Sequence, residues 1–181
     1  MKGLILFADG FEDSEGITTR DALIRAGIEV ISASITHTRK VITSHRLVIE
    51  TDALLSELNL ADYAFIILPG GLRGVDNLNK STIVSDALKF FHDQQKDIFA
   101  ICAAPTILAK LGYLDGLRFT CYPGCENGIN GQYTRENVTI SSNHIITAKS
   151  MAYSLDFALA IIDKLLGPEV RAKVEKSTKG L

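Results

Sequence analysis

A cysteine set between an apolar run and a proline is the first residue in this chain with the makings of chemistry. Cys102 lies in Phe99-Ala100-Ile101-Cys102-Ala103-Ala104-Pro105. A buried strand that runs into a helix start must turn sharply there. Ala103 and Ala104 are small enough to permit the turn, as glycines do around the serine of an α/β-hydrolase elbow. The helix N-terminus then sets partial positive charge and free N–H donors near the sulfur, which lowers a thiol pKa and favours thiolate. The same cysteine also reads as a small buried hydrophobe, as free cysteine often is. Spacing alone does not choose between the two.

Glu15 falls in the first turn of the helix predicted after the first strand, behind Glu12 and Asp13. Acids there complement the helix dipole, and that role suffices for Glu12 and Asp13. Glu15 acquires a second role only if it reaches Cys102. Two anions in hydrogen-bond contact are unfavourable, so one pKa must rise. A protonated Glu15 then donates to the thiolate and moves a proton during turnover. Pro69-Gly70-Gly71 ends another apolar run. Glycines there let backbone N–H groups approach a ligand with no side chain in the way. With the N–H that follows Cys102 they would form an oxyanion hole; an ordinary turn is the other reading.

Cys121 and Cys125 bracket Tyr122-Pro123-Gly124. The pair has no second pair or nearby histidine to complete the four ligands of structural zinc, so no metal is expected. A reversible disulfide and inert thiols both remain open. His37, His45, His92 and His144 show no ligand spacing. His92 on a predicted helix and His144 in a turn read as solvated.

Short apolar runs alternate with helical stretches, which predicts an α/β fold with a largely parallel sheet. Strands are predicted over residues 3–8, 28–34, 63–68, 97–101 and 118–121. Two more fall within 138–148 around a Ser142-Asn143-His144 turn, and 41–44 with 46–50 reads as an antiparallel excursion. Helices are predicted over 13–26, 52–58, 81–95, 106–111, 151–166 and 169–176. The first carries Ile17, Ala22, Leu23 and Ala26 on one face and stops at Gly27, and Pro105 suits the first turn of the fourth. Strands that repeatedly feed helices imply right-handed crossovers and a sheet covered on both faces. Ligands then sit beyond the carboxyl ends of the strands. The 9–15 segment, Pro69-Gly70-Gly71 and Cys102 all fall at such ends.

The chain has 181 residues, of which 46% are hydrophobic, and this predicts one compact domain over residues 1–181. A net charge of -2 with no basic block argues against a dedicated nucleic-acid surface. No apolar run approaches the roughly 18 residues that span a bilayer. Leu4-Ile5-Leu6-Phe7 is too short for a secretory segment and is followed by Asp9 and Glu12. Three cysteines without a secretory signal read as reduced thiols, and a cytoplasmic location is expected.

Five stretches occur in order along nearly the whole chain. They are Ala8-Asp9-Gly10-Phe11-Glu12-Asp13-Ser14-Glu15, Arg25-Ala26-Gly27-Ile28-Glu29-Val30, Ile67-Leu68-Pro69-Gly70-Gly71, Ala100-Ile101-Cys102-Ala103-Ala104-Pro105 and Asp156-Phe157-Ala158-Leu159-Ala160-Ile161-Ile162. On these the sequence resembles the ThiJ/PfpI superfamily, and within it the branch of the parkinsonism-associated protein deglycase and the bacterial YajL-type proteins. The resemblance implies a flavodoxin-like three-layer α/β/α sandwich, commonly a homodimer. It implies that Cys102 matches the family's nucleophile or oxidation-sensitive cysteine and Glu15 its partnering acid. Gly71 and Ala103 match its oxyanion-type N–H donors, and Arg25 an arginine near the dimer interface and active site.

The sequence departs from the family at three places. Ala103 stands where the peptidase-like branch carries a histidine directly after the cysteine. Tyr122, before Pro123, stands where the deglycase branch often carries a histidine, and a tyrosine hydroxyl is a poor base at neutral pH. Ser150-Met151-Ala152 replaces a Gly-Pro-Gly turn before the long helix.

The activity implied is a cysteine-dependent glyoxalase or deglycase that acts on small 2-oxoaldehydes or their adducts and needs no dissociable cofactor. Gly70, Gly71, Ala103 and Tyr122 would surround the substrate. One rival is an oxidative-stress sensor or chaperone in which Cys102 becomes a sulfinic acid held by Glu15 and helix N–H groups. Another is a glutaminase- or peptidase-like hydrolase with His144 as base, which Ala103 counts against.

Overall fold

The computed structural model describes residues 1–142 and 144–180. Strand β1 (Lys2–Phe7), helix α1 (Asp13–Arg25) and β2 (Glu29–Ser34) form the first crossover. A hairpin of β3 (Lys40–Ile42) and β4 (Val48–Glu50) follows, and then the two-residue edge strand β5 (Ala53–Leu54). The centre of the chain supplies β6 (Phe65–Leu68), α2 (Leu72–Lys80), α3 (Thr82–Asp93), β7 (Asp97–Ile101) and α4 (Pro105–Lys110). A small parallel pair, β8 (Arg118–Phe119) and β9 (Gln132–Tyr133), precedes β10 (Val138–Ser142) and β11 (Ile145–Ala148). Helices α5 (Ser154–Leu166) and α6 (Pro168–Lys179) close the fold. Among the described residues no helix is long and apolar enough to cross a membrane.

The main sheet runs in the order β10-β11-β7-β6-β1-β2-β5, with every pair parallel except β10 and β11. Its central strands are apolar throughout because both faces are covered. Successive side chains point to opposite faces, and the two cores follow that alternation. Leu4, Leu6, Ile66, Leu68, Ile98 and Ala100 pack with Leu78, Leu88, Phe91 and Leu108 of α2, α3 and α4. Ile5, Phe7, Phe65, Ile67, Phe99 and Ile101 pack with Leu23, Phe157, Ile161 and Val174 of α1, α5 and α6. The result is the expected three-layer sandwich.

The chain leaves β1 toward β2 and β5, then crosses back so that β6 pairs with the other side of β1, Gly3 opposite Phe65. That reversal opens a crevice at the carboxyl ends of β1 and β6, where sheets of this kind bind ligands. Glu15, Gly71 and Cys102 follow β1, β6 and β7, three adjacent strands.

Most predicted elements are present, and the hairpin is antiparallel as expected. Asn143 of the predicted turn between β10 and β11 lies outside the described residues. The helix predicted over 52–58 is instead β5 followed by a single 3-10 turn, Leu55–Glu57. Asp52 accepts from the Ser32 N–H at 2.8 Å and the Ser32 hydroxyl at 2.7 Å. Ala53 and Leu54 can then pair with β2. Helix α2 was not expected, because Gly74, Asn77 and Asn79 dilute its helical pattern. Helix α1 is also rotated from its predicted facing: Glu15, Thr19, Ala22 and Leu23 point inward and Ile17 is 45% exposed. The rotation delivers the Glu15 carboxyl to the crevice.

Candidate active site

Strand β7 ends at Ile101, and Cys102 has φ +64°, in the left-handed region that side chains with a Cβ rarely adopt. Such a backbone costs on the order of 1–3 kcal/mol and persists only where its surroundings hold it. Two hydrogen bonds do so here. The Cys102 N–H donates to the Ala148 carbonyl at 2.9 Å, at the end of β11, and the Cys102 carbonyl accepts the Tyr122 N–H at 2.8 Å. Cys102 thus sits at the sharp strand-to-helix turn that its sequence context predicts.

The Glu15 side chain is 1% exposed. Its Oε2 accepts the Gly70 N–H at 2.8 Å. Its Oε1 is buried with no hydrogen-bond donor among the described residues, and the Cys102 thiol beside the carboxyl favours its charged form. The Gly71 and Ala103 N–H groups favour charge on the sulfur. Glycine at position 70 is a spatial requirement: a Cβ there would lie 2.5 Å from both Cys102 Cβ and Glu15 Oε2. Gly71 has φ +86°, and a Cβ on it would meet the Gly10 carbonyl oxygen at 2.5 Å.

The electrostatics reverse one sequence expectation. Burial pushes the Glu15 carboxyl up to about 7, although the Cys102 thiol and the Gly70 N–H favour its charged form. Cys102 was expected to be depressed by the helix N-terminus. Instead its thiol is raised, first by burial and then by the charge and hydrogen bond of Glu15, against the opposing pull of the Gly71 and Ala103 N–H groups. The thiol therefore keeps its proton at neutral pH, and Glu15, near 7, is there in part protonated and in part able to accept it. Thiolate forms only as Glu15 takes that proton.

The pair opens onto a cleft of about 260 Å³. Cys102, Glu15 and Gly71 form its floor. Leu72, Tyr122 and Met151 wall it, with Glu12 and Ser150 at the edge. Tyr122 is where the sequence placed it; Glu12, Leu72 and Met151 were not read as cleft residues. The only signals were that Leu72 follows Gly71 and that Met151 replaces the family's usual turn.

The sequence matches the DJ-1/PfpI family over residues 1–164. The chain belongs to this family. It is 34% identical over 180 residues to Protein dj-1beta of Drosophila melanogaster, covering 98% of this chain and 95% of that one. It is 32% identical over 170 residues to the glutathione-independent glyoxalase DJR-1.2 of Caenorhabditis elegans, covering 92% and 89%. Toxoplasma gondii DJ-1, in its oxidised state, superposes with a TM-score of 0.92 at 31% identity, covering 98% of this chain and 97% of that chain.

Other residues singled out in this DJ-1/PfpI chain lie elsewhere. Arg25 is ten residues beyond Glu15 on α1, roughly 15 Å along the helix axis. There it ion-pairs with Asp21 at 2.7 Å and does not line the cleft. His144 stands at the opposite end of β7 from Cys102, its Nδ1 3.6 Å from Asp97. His92 stacks on Tyr113. Among the described residues no histidine lines the cleft, so a hydrolase mechanism has no imidazole base there. Cys121 is buried and Cys125 half-buried, both as free thiols. Glu12, Asp13 and His45 form the one described group with metal-ligand spacing. Asp13 is already engaged by the Thr43 hydroxyl at 2.6 Å, the Ser44 hydroxyl at 2.9 Å and His45 at 3.0 Å. These bonds staple the β3–β4 hairpin to the start of α1.

Two outcomes follow from the raised carboxyl and its packing. The folded-state pKa of Glu15 is about 7 against an ordinary 4.5, so its protonation favours folding below about pH 4.5 and that contribution is lost as pH rises through 7. In urea denaturation, the stability advantage of Glu15→Gln over the parent should therefore grow by on the order of 3 kcal/mol between about pH 4 and about pH 8. A difference independent of pH would contradict the raised carboxyl. Gly70→Ala should slow Cys102 alkylation at pH 7 by roughly tenfold or more, because its Cβ forces sulfur and carboxyl apart. Parent-like alkylation kinetics would show that their close approach is unnecessary.

Proposed function

We propose that this protein is a glyoxalase or deglycase that acts on small 2-oxoaldehydes, or their adducts, through Cys102 and without a dissociable cofactor. The observation that carries this reading is the Cys102–Glu15 pair, a half-buried thiol beside a buried carboxyl near 7, with two backbone N–H groups that favour charge on the sulfur. The kinship with a relative named as a glutathione-independent glyoxalase supports it.

In the first step Glu15 accepts the thiol proton while sulfur attacks the aldehyde carbon. The S–C bond forms and the carbonyl π pair moves to oxygen. The Gly71 and Ala103 N–H groups, which favour charge on the sulfur, would also serve the oxyanion that develops two bonds away. Protonation by Glu15 completes the hemithioacetal. The Glu15 carboxylate then removes the proton from the former aldehyde carbon, and an enediolate forms with its charge on the former ketone oxygen, which takes the neighbouring hydroxyl proton as the thioester forms. Return of a proton to the adjacent carbon leaves a 2-hydroxy thioester. Water cleaves it to the hydroxy acid and restores the thiol. The sequence is redox-neutral, and a carboxyl with a pKa near 7 is matched to both proton donation and proton acceptance.

A second reading rests on the same geometry. The cleft leaves Cys102 accessible, and the N–H groups that favour charge on its sulfur would hold a sulfinate with protonated Glu15. That favours a role in sensing peroxide. Intact mass after mild peroxide should show two oxygens gained at Cys102 and none in Cys102→Ala.

For the assembly we propose a homodimer. Ile17 and Ile24 of α1 and Ile42, Leu47 and Val48 of the hairpin are 43–64% exposed, large apolar side chains that a second copy would cover. The three free thiols fit a reducing compartment, the cytoplasm.

Cys102→Ser should lower kcat/KM for lactate formation from methylglyoxal by ~1,000-fold or more; lactate made at the parent rate would eliminate the mechanism. In sedimentation, Ile17→Arg with Val48→Glu should turn the protein from dimer to monomer with Cys102 alkylation retained. A parent that already sediments as a monomer would remove the proposed assembly.

A further inference from the structure

The cleft walls speak to which substrate the site takes. Leu72 is 77% exposed, Met151 50% and Tyr122 49%, yet all three line the same small cavity above Cys102. They come from three separate places in the chain: the first residue of α2, the 3-10 turn Met151–Tyr153 after β11, and the segment whose N–H grips the Cys102 carbonyl. Large apolar side chains left open to water around a reactive group are stabilised by whatever covers them.

The charges around the cleft are one-sided. The ionisable side chains lining it, apart from Cys102 and Tyr122, are the carboxyls of Glu12 and Glu15. Among the described residues no lysine, arginine or histidine lines it. Glu12 accepts the Ser44 hydroxyl at 2.9 Å, which fixes the carboxylate at the edge. An incoming carboxylate or phosphate would lose hydration next to a like charge with no cation to compensate. An apolar group would lose only water contacts and would gain the Leu72 methyls, the Met151 thioether and the Tyr122 ring.

We propose that the Leu72–Tyr122–Met151 wall selects neutral 2-oxoaldehydes that carry an apolar, preferably aromatic, substituent on the ketone carbon, and that Glu12 rejects anionic ones. The proposal rests on the glyoxalase reading of the same site. It adds Leu72 and Met151 as specificity-determining residues, in the position where the sequence departs from the family's turn.

The test has a labelling arm and a turnover arm, both on the intact chain. Labelling measures second-order rates of Cys102 with N-phenyliodoacetamide, iodoacetamide and iodoacetate, each divided by the rate of N-acetylcysteine. The phenyl reagent should be favoured over iodoacetamide by about tenfold, the scale of apolar pocket discrimination. Leu72→Ser with Met151→Ser should bring that preference to near unity. Iodoacetate should be disfavoured, and Glu12→Gln should restore it. A normalised phenyl preference of one, or a preference unchanged in the double variant, would overturn the proposal.

The turnover arm compares kcat/KM for phenylglyoxal and methylglyoxal, with phenylglyoxal expected to be the better substrate. A parent that favours methylglyoxal would count against the proposal. If neither aldehyde turns over while the labelling preference holds, the glyoxalase reading fails and the selectivity of the cleft stands.

Discussion

A carboxylate and a thiolate cannot both be charged when they touch inside a protein, and the Glu15–Cys102 contact depends on one proton being present. Burial raises both groups, so the proton stays into the neutral range. Which atom carries it decides whether the sulfur is a nucleophile. The Gly71 and Ala103 N–H groups favour charge on sulfur, and the Gly70 N–H on Oε2 favours charge on the carboxyl. With the carboxyl near 7 and the thiol raised well above its ordinary value, the proton rests on sulfur, and the charged form of Glu15 is the base that can take it.

The fold sets that contact through distances a side chain would spoil. Gly70 lies between the cysteine and the carboxyl, and Gly71 lies against the backbone of the β1–α1 loop. The same loop is held from its other side: Asp9 Oδ1 accepts the Ile42 N–H at 2.8 Å, and Asp13 is gripped by Thr43, Ser44 and His45. Burial raises Asp13, but these donors outweigh it and hold the carboxyl well below its usual range. The acids at the start of α1 thus divide their work. Asp13 and Glu12 anchor the hairpin, and Glu15 alone turns inward.

Much of this was legible in the residues. The alternation of apolar runs with helices revealed the layers, because strands covered on both faces must be apolar at every position. The small residues after Cys102 revealed the elbow. The facing of α1 was not legible: apolarity pointed to Ile17, whereas a buried carboxyl with its own partners displaced it, and no local pattern encodes such a long-range contact. Helix α2 escaped notice because its glycine and asparagines obscure the period. The 52–58 segment was misread because Asp52 is committed to Ser32, twenty residues earlier. The sign of the thiol shift was also missed. The helix end is local and visible in sequence, while the burial and the Glu15 charge that outweigh it arise only after folding.

The order in which the strands join has a consequence for biosynthesis. Cys102 is held in its left-handed backbone by the carbonyl of Ala148, on a strand that leaves the ribosome more than forty residues later. β1 and β6, whose ends complete the site, must also find each other across some sixty residues of chain. Parallel pairings of such range form slowly. A nascent chain that has exposed the cysteine but not β11 carries an ordinary flexible thiol, without the elbow that aims it. The elbow, and with it the contact to Glu15, is thus completed only when the last strand in chain order has joined the sheet.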